Sequence, residues 1–218
     1  MKVSHIALLF GLIGLSGALP TFANTASICD GVSGNLVGNC GFEMDNFTDW
    51  TVTDASAGSA LDVSTVAPDS GTYNARFGAS SSQNDYIDQL ITTSSSSSYN
   101  ISFYINSSLV GSSGQFVANW GTTNLLTITG STNSNGNCTA ATTANYEVCT
   151  FTENGGPGVT TDLDFGGNNK LNSYHLDDVS VVKNTSAVPE PSSVSFAVAG
   201  LFGILVVGRR YMQKRSNS

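Results

Sequence analysis

Only 11% of the 218 residues are charged, 40% are hydrophobic, and the formal net charge is -8. Five of the eight basic residues lie at the two ends, so residues 24–187 keep Arg76, Lys170 and Lys183 against fifteen acidic side chains, a net of -12. So acidic a stretch repels phosphate, which argues against nucleic acid or anionic lipid as partners and favours neutral glycans or cations such as calcium.

The chain opens with one early charge, Lys2, then an apolar run from Ile6 to Leu15, then Pro20 and the small-residue pattern Thr21-Phe22-Ala23. That order is a secretory signal peptide over residues 1–23, cut by signal peptidase after Ala23. The run is too short for a permanent span. The chain beyond Ala23 is therefore read as exported by the general secretion machinery, with residues 24–185 forming the ectodomain.

Four cysteines, Cys29, Cys40, Cys138 and Cys149, lie in that exported part. An even count in an oxidising compartment points to disulfides, and four cysteines allow three connectivities. Cys29–Cys40 and Cys138–Cys149 are favoured, because each pair is local and can close a hairpin or loop. A zinc site is the rival, but no two cysteines stand at C-x₂₋₄-C spacing.

Between the ends the chain is rich in Gly, Ser, Thr and Asn, and no helical period persists. Short alternating runs separated by turn residues predict an all-β domain. Expected strands, in chain order, are 50–54, 60–66, 73–77, 86–92, 98–106, 115–120, 125–129, 146–152, 161–165 and 174–182. In the clearest of them Tyr99, Ile101, Phe103 and Ile105 share one face, with Asn100, Ser102 and Asn106 on the other. Segments 94–98, 131–136 and 154–158 read as turns or loops. About ten strands at this spacing suit a sandwich.

Residues 35–43 (Asn-Leu-Val-Gly-Asn-Cys-Gly-Phe-Glu) and Phe47-Thr48-Asp49-Trp50 open the domain, and Leu176-Asp177-Asp178-Val179-Ser180-Val181 closes it. With the Gln89, Tyr99 and Phe103 strands, these resemble the jelly-roll domains of the carbohydrate-binding-module and galactose-binding-like type, over roughly residues 35–182. The sequence departs from that pattern at Cys40 and at His175, where an apolar residue is usual. The resemblance implies one structural calcium held by Glu43 and by Asp177 or Asp178, since calcium takes six to eight oxygens. Leu176 and Val179 cannot share a face under strict alternation, so a bulge is expected near Asp177-Asp178. A sugar-binding face needs exposed aromatic rings. The candidates are Tyr104, Trp120 and Tyr86, with Tyr104 foremost because it lies on the polar face of its strand. Trp50 is assigned to the core, where its motif places it.

Catalysis has little support. Asp162 and Asp164 flank Leu163 on one strand face, and paired carboxylates can run glycoside hydrolysis, but such pairs are usually solvated. His175 is the only histidine left after signal cleavage, and no Gly-x-Ser-x-Gly elbow accompanies it.

Residues 186–218 begin with Val188-Pro189-Glu190-Pro191, continue with an apolar stretch over 194–208, and end in Arg209, Arg210, Lys214 and Arg215. The stretch is short for a transmembrane helix, and the basic cluster would stay cytoplasmic. Order, spacing and polarity resemble the PEP-CTERM sorting signal. The resemblance implies a Gram-negative host, an exosortase that cleaves near the Pro-Glu-Pro motif, and an inner-membrane intermediate that ends at the cell surface or matrix. The expected function is a non-catalytic, exosortase-sorted surface or matrix protein associated with exopolysaccharide. A glycan-binding module with a defined sugar site is the alternative, and a glycoside hydrolase stands behind both.

Overall fold

The computed structural model describes residues 26–54, 60–78, 83–107, 114–131, 137–143, 145–169 and 172–185. The expected signal peptide (residues 1–23), the Val188–Pro191 motif, the apolar stretch and Arg209 and Arg210 lie outside the described residues. Among the described residues no helix is long and apolar enough to cross a membrane.

Among the described residues, eleven strands form two antiparallel sheets: β1 (Thr51–Thr53), β2 (Asp62–Ser64), β3 (Asn74–Phe77), β4 (Asp85–Thr92), β5 (Ser98–Asn106), β6 (Gln115–Trp120), β7 (Thr123–Thr129), β8 (Cys138–Ala140), β9 (Tyr146–Asn154), β10 (Thr160–Asn168) and β11 (Tyr174–Lys183). One sheet runs β1-β4-β10-β6-β7, and the other runs β2-β3-β11-β5-β9-β8. All ten expected strands appear, and the architecture is the expected β-sandwich. The unexpected strand is β8. Its three residues show no alternation; it pairs with β9 in a register that sets Cys138 opposite Cys149, where the two are disulfide-bonded. The second disulfide joins Cys29 to Cys40, so both favoured pairings are present.

The core lies between the sheets and is built from the inward halves of alternating strands. Tyr99, Ile101, Phe103 and Ile105 of β5 face Phe116 and Ala118 of β6 and Leu163 and Phe165 of β10, all buried. Phe103 meets Phe165 edge to face at a centroid distance of 5.1 Å, and Phe116 stands edge to face on Phe77 at 5.7 Å. Full burial of each such ring is worth about 1.5–3 kcal/mol. Trp50 belongs to this core, packed between Phe42 and Phe165, as its motif implied.

The opening segment closes the sandwich against β11. The Leu36 N–H donates to the Val181 carbonyl, the Val179 N–H to the Cys40 carbonyl, and Asn35 Oδ1 accepts from the Val181 N–H. The expected bulge is present: the β11–β5 register shifts between Asp177 and Ser180, and Asp178 has φ 48°. That irregularity lets Leu176 and Val179 both reach the interior. His175 fits inside the strand, its Nδ1 3.0 Å from Asn74 Oδ1. Burial first, then the Arg76 charge, lowers its proton affinity.

Candidate functional site

The outer face of the five-stranded sheet carries the most sugar-like chemistry. Alternation sends Tyr86 and Asp88 of β4, Asp162, Asp164 and Gly166 of β10, and Asn119 of β6 to this face, while Ile87, Leu163, Phe165 and Ala118 go inward. Register then sets them in rows. Thr51, Asp88, Asp164 and Asn119 lie across one row of β1, β4, β10 and β6; Thr53, Tyr86, Gly166 and Val117 lie across the next. Amides and hydroxyls tie the first row onward. Asn119 Nδ2 donates to Asp164 Oδ1 at 2.8 Å, Asn124 Nδ2 donates to Asn119 Oδ1 at 2.8 Å, and the Thr127 hydroxyl donates to Asn124 Oδ1 at 3.1 Å.

Tyr86 owes its pose to a glycine on the neighbouring strand. A Cβ added at Gly166 would fall 2.3 Å from the edge of the Tyr86 ring, so the ring lies across the bare backbone of Gly166. Any other residue there would push the ring off. Thr53, Tyr86, Asp88, Asn119, Asp162 and Asp164 together line an open cleft of about 440 Å³. Burial first, then the neighbouring Asp88 carboxylate, raises the proton affinity of both Asp162 and Asp164, and Asn119 opposes this at Asp164.

The three aromatics expected to present a sugar-binding face do not meet. Tyr86 is half-buried and lines the cleft. Tyr104 is half-buried on the outer face of β5, in the other sheet, where burial and then Asp69 and Asp178 raise its hydroxyl's proton affinity. Trp120 is a correction. It is only 2% exposed, its ring packs on Tyr99 at 5.9 Å, and its Nε1 donates to the Asn154 carbonyl at 2.7 Å. Alternation along β6 puts Trp120 on the same face as Phe116 and Ala118, so the ring packs in the core and does not stand exposed, although Trp120 borders the cleft between the β6–β7 turn and the β9–β10 loop.

The acids expected around a calcium converge on one loop, residues 67–73. Glu43 accepts from the Thr72 N–H (2.9 and 3.1 Å) and the Tyr73 N–H (3.0 Å). Asp177 Oδ2 accepts from the Asp69 N–H at 2.8 Å and the Ser70 N–H at 3.4 Å, and its Oδ1 from the Asp178 N–H at 2.8 Å. Asp178 accepts from the Cys29 N–H at 3.0 Å, from the Ser70 hydroxyl at 2.7 Å, and from the Ser27 hydroxyl. A further acid, Asp69, was not found from the sequence. It sits in the turn Pro68-Asp69-Ser70-Gly71, whose composition signals a turn and nothing more.

Burial, aided by the Asp178 charge, pushes the Asp69 carboxyl up to about 6. Burial and Asp178 push Asp177 up to about 9, against the pull of its backbone donors. Buried carboxylates in mutual repulsion suit a hard cation by donor type. Their geometry is looser: among the described residues, the one set of three such side chains with ligand atoms within 4.8 Å of one another is Cys29, Asp30 and Cys40, and there the cysteines form a disulfide. Glu43 is engaged by backbone N–H groups and clamps the loop from its far side. A calcium held as expected, by Glu43 and by Asp177 or Asp178, would offset the repulsion among these acids.

No family model matches the chain, and no curated protein matches it. Solved structures do resemble it in fold. The enzymatically active domain of tailspike protein 4 from bacteriophage CBA120 aligns with a TM-score of 0.51 at 10% identity, over 69% of this chain and 22% of that one. A family-61 carbohydrate-binding module in complex with β-1,4-galactotriose aligns with a TM-score of 0.48 at 13% identity, over 69% and 99%. A Stig cyclase from Fischerella sp. TAU aligns with a TM-score of 0.48 at 16% identity, over 69% and 96%. At such identities the likeness is one of fold, and one fold hosts many functions.

Proposed function

We propose that the ectodomain is a non-catalytic module that holds a neutral glycan on the outer face of its five-stranded sheet. The observation that carries this reading is the Tyr86 ring, laid across Gly166 inside an open cleft of polar side chains. An aromatic ring supplies a flat apolar platform for the C–H face of a pyranose. Asp88, Asp164, Asn119 and Thr53 supply acceptors and donors for its hydroxyls. The carboxylates act as acceptors here, and with no base lining the cleft an acidic sugar is repelled. Affinity electrophoresis of the purified protein through gels containing neutral polysaccharides tests the reading. Retardation that drops at least tenfold in Tyr86→Ala supports it; equal retardation of both proteins overturns it. Release of reducing sugar from a retarding polysaccharide would favour the hydrolase reading.

The destination proposed for this module is the cell surface or extracellular matrix, reached through exosortase processing. The support is the order of Val188-Pro189-Glu190-Pro191, apolar stretch and Arg209-Arg210 in the sequence. Replacing Pro189, Glu190 and Pro191 with alanine should abolish the processed form in the host. Normal amounts of that form would refute the sorting route.

A further inference from the structure

A second cleft adjoins the first. It has a volume of about 400 Å³ and lies at the end of the sandwich, between the β6–β7 turn (Gly121, Thr122) and the β9–β10 loop (Gly155, Gly156, Pro157). Asp162 lines both clefts. The Gly121 N–H donates to the Asp162 carbonyl at 2.7 Å, so the turn is fixed to β10 at the junction. On the other wall, the Gly156 N–H donates to Thr161 Oγ1 at 2.6 Å, and the Trp120 indole donates to the Asn154 carbonyl. Both walls are therefore tied to the sheet before any ligand arrives.

From this continuity we infer that the two clefts form one groove along β10, gripping an internal stretch of a neutral polysaccharide. The inference rests on the glycan-binding reading above and extends it by a second set of subsites. From Gly166, beneath the Tyr86 ring, to Thr160 the groove follows seven residues of β10, six steps and about 20 Å at the rise of a strand, which is room for several sugar rings. Asp88, Asp162, Asp164 and Glu153 line the two clefts, and among the described residues no Lys or Arg does, so a polymer of uronic acids would meet repulsion along it. Hydroxyls of Thr122, Thr123 and Thr160 offer hydrogen bonds to uncharged sugars instead.

The test uses the full-length protein and a panel of xylan, β-1,4-galactan, mannan and dextran, with polygalacturonate and alginate as acidic polymers. For whichever neutral polymer retards the protein, calorimetry then follows its oligosaccharides from three to eight units. The expected result is an affinity that rises at least tenfold over that series. Thr122→Trp and Pro157→Trp, which fill the second cleft from opposite walls, should flatten the rise; unchanged thermal midpoints would show that both variants fold. An affinity that is already maximal at three units, or a rise that survives both variants, overturns the extended groove and leaves the Tyr86 site standing. Preferential binding of polygalacturonate or alginate overturns the neutral-chain assignment. Retardation by none of the polymers overturns the groove and the glycan-binding reading together.

Discussion

Two acidic triads in this molecule are handled in opposite ways. Asp88, Asp162 and Asp164 sit on an open sheet face, half-buried, where an amide answers one carboxylate and solvent reaches the cleft. Asp69, Asp177 and Asp178 sit beneath a loop, where Asp177 and Asp178 take six hydrogen bonds from backbone and hydroxyl donors. The first set is placed for contact with something outside. The second joins the two ends of the fold to the loop between β2 and β3. Carboxylates of one type are thus left open to solvent on the sheet face, and at Asp177 and Asp178 are consumed by backbone and hydroxyl donors.

The largest expected effect breaks the comparison at its buried half. Asp177→Ala strips the acceptor from the Asp69, Ser70 and Asp178 N–H groups, and should cost about 3 kcal/mol or more in urea unfolding. Asp177→Asn should cost less than half of that, because a carboxyl pushed up to about 9 is protonated in the folded state at neutral pH and an amide oxygen can replace it. Both losses are read in chelator; equal losses there would mean that Asp177 works as an ion and not as a protonated acceptor. Calcium tests this directly. At a hundredfold excess over its dissociation constant, a cation bound only by the folded state adds about 2.7 kcal/mol. The expected observation is a midpoint raised by millimolar calcium, restored by chelator, and insensitive to calcium in Asp177→Asn.

Next in size are the disulfides. Each closes a short loop, with a sequence separation of 11. Cys138→Ser with Cys149→Ser should lower stability by about 2–3 kcal/mol and free β8 from β9, since β8 has little else to hold it. Hydrogen exchange would report the β8 opening. Cys29→Ser with Cys40→Ser should cost at least as much, because the bridge holds in place the segment whose Ser27 hydroxyl and residue-29 N–H donate to Asp178.

The pH dependence sharpens the contrast further. A free aspartate releases its proton near about 4. The folded protein keeps the Asp69 proton up to about 6 and the Asp177 proton up to about 9. The folded state thus binds more protons than the unfolded chain across that window, so these groups add stability at its acidic end that is lost as pH rises through it. His175 acts in the opposite direction. Its proton affinity is lowered by burial, so stability falls as pH drops below about 6.5, where the unfolded imidazole takes a proton. The chelated protein should therefore be most stable on the acidic side of neutrality, with thermal melts from pH 4 to 9 showing a decline at both ends. Bound calcium should flatten the alkaline decline.

The smallest effect belongs to the open face. Asp164→Asn should change stability by less than about 1 kcal/mol, because its carboxylate is half-solvated and its replacement can still accept from Asn119. A large loss there would show the open triad to be architectural, and would erase the distinction between the two sets.

Residue order alone points to every strand described except β8. Alternation in residues 98–106 placed Tyr99, Ile101, Phe103 and Ile105 in the core, and the clash of Leu176 with Val179 required the bulge that β11 contains. Both follow from local geometry, because a strand's period of two is fixed by its backbone. Local spacing also favoured the disulfide pairs that the structure contains. What each side chain faces beyond its own strand was settled by packing. Tyr86 became the floor of a cleft because a distant glycine, Gly166, pairs beside it. Trp120 went inward by the parity of a strand whose inner face only the sandwich defines. Asp69 joined Asp177 and Asp178 from a turn with no local signature of the meeting. Such neighbours arise from pairings across the sheet and from packing of a loop on a strand, and the energy of those contacts does not exist until the distant segments have come together.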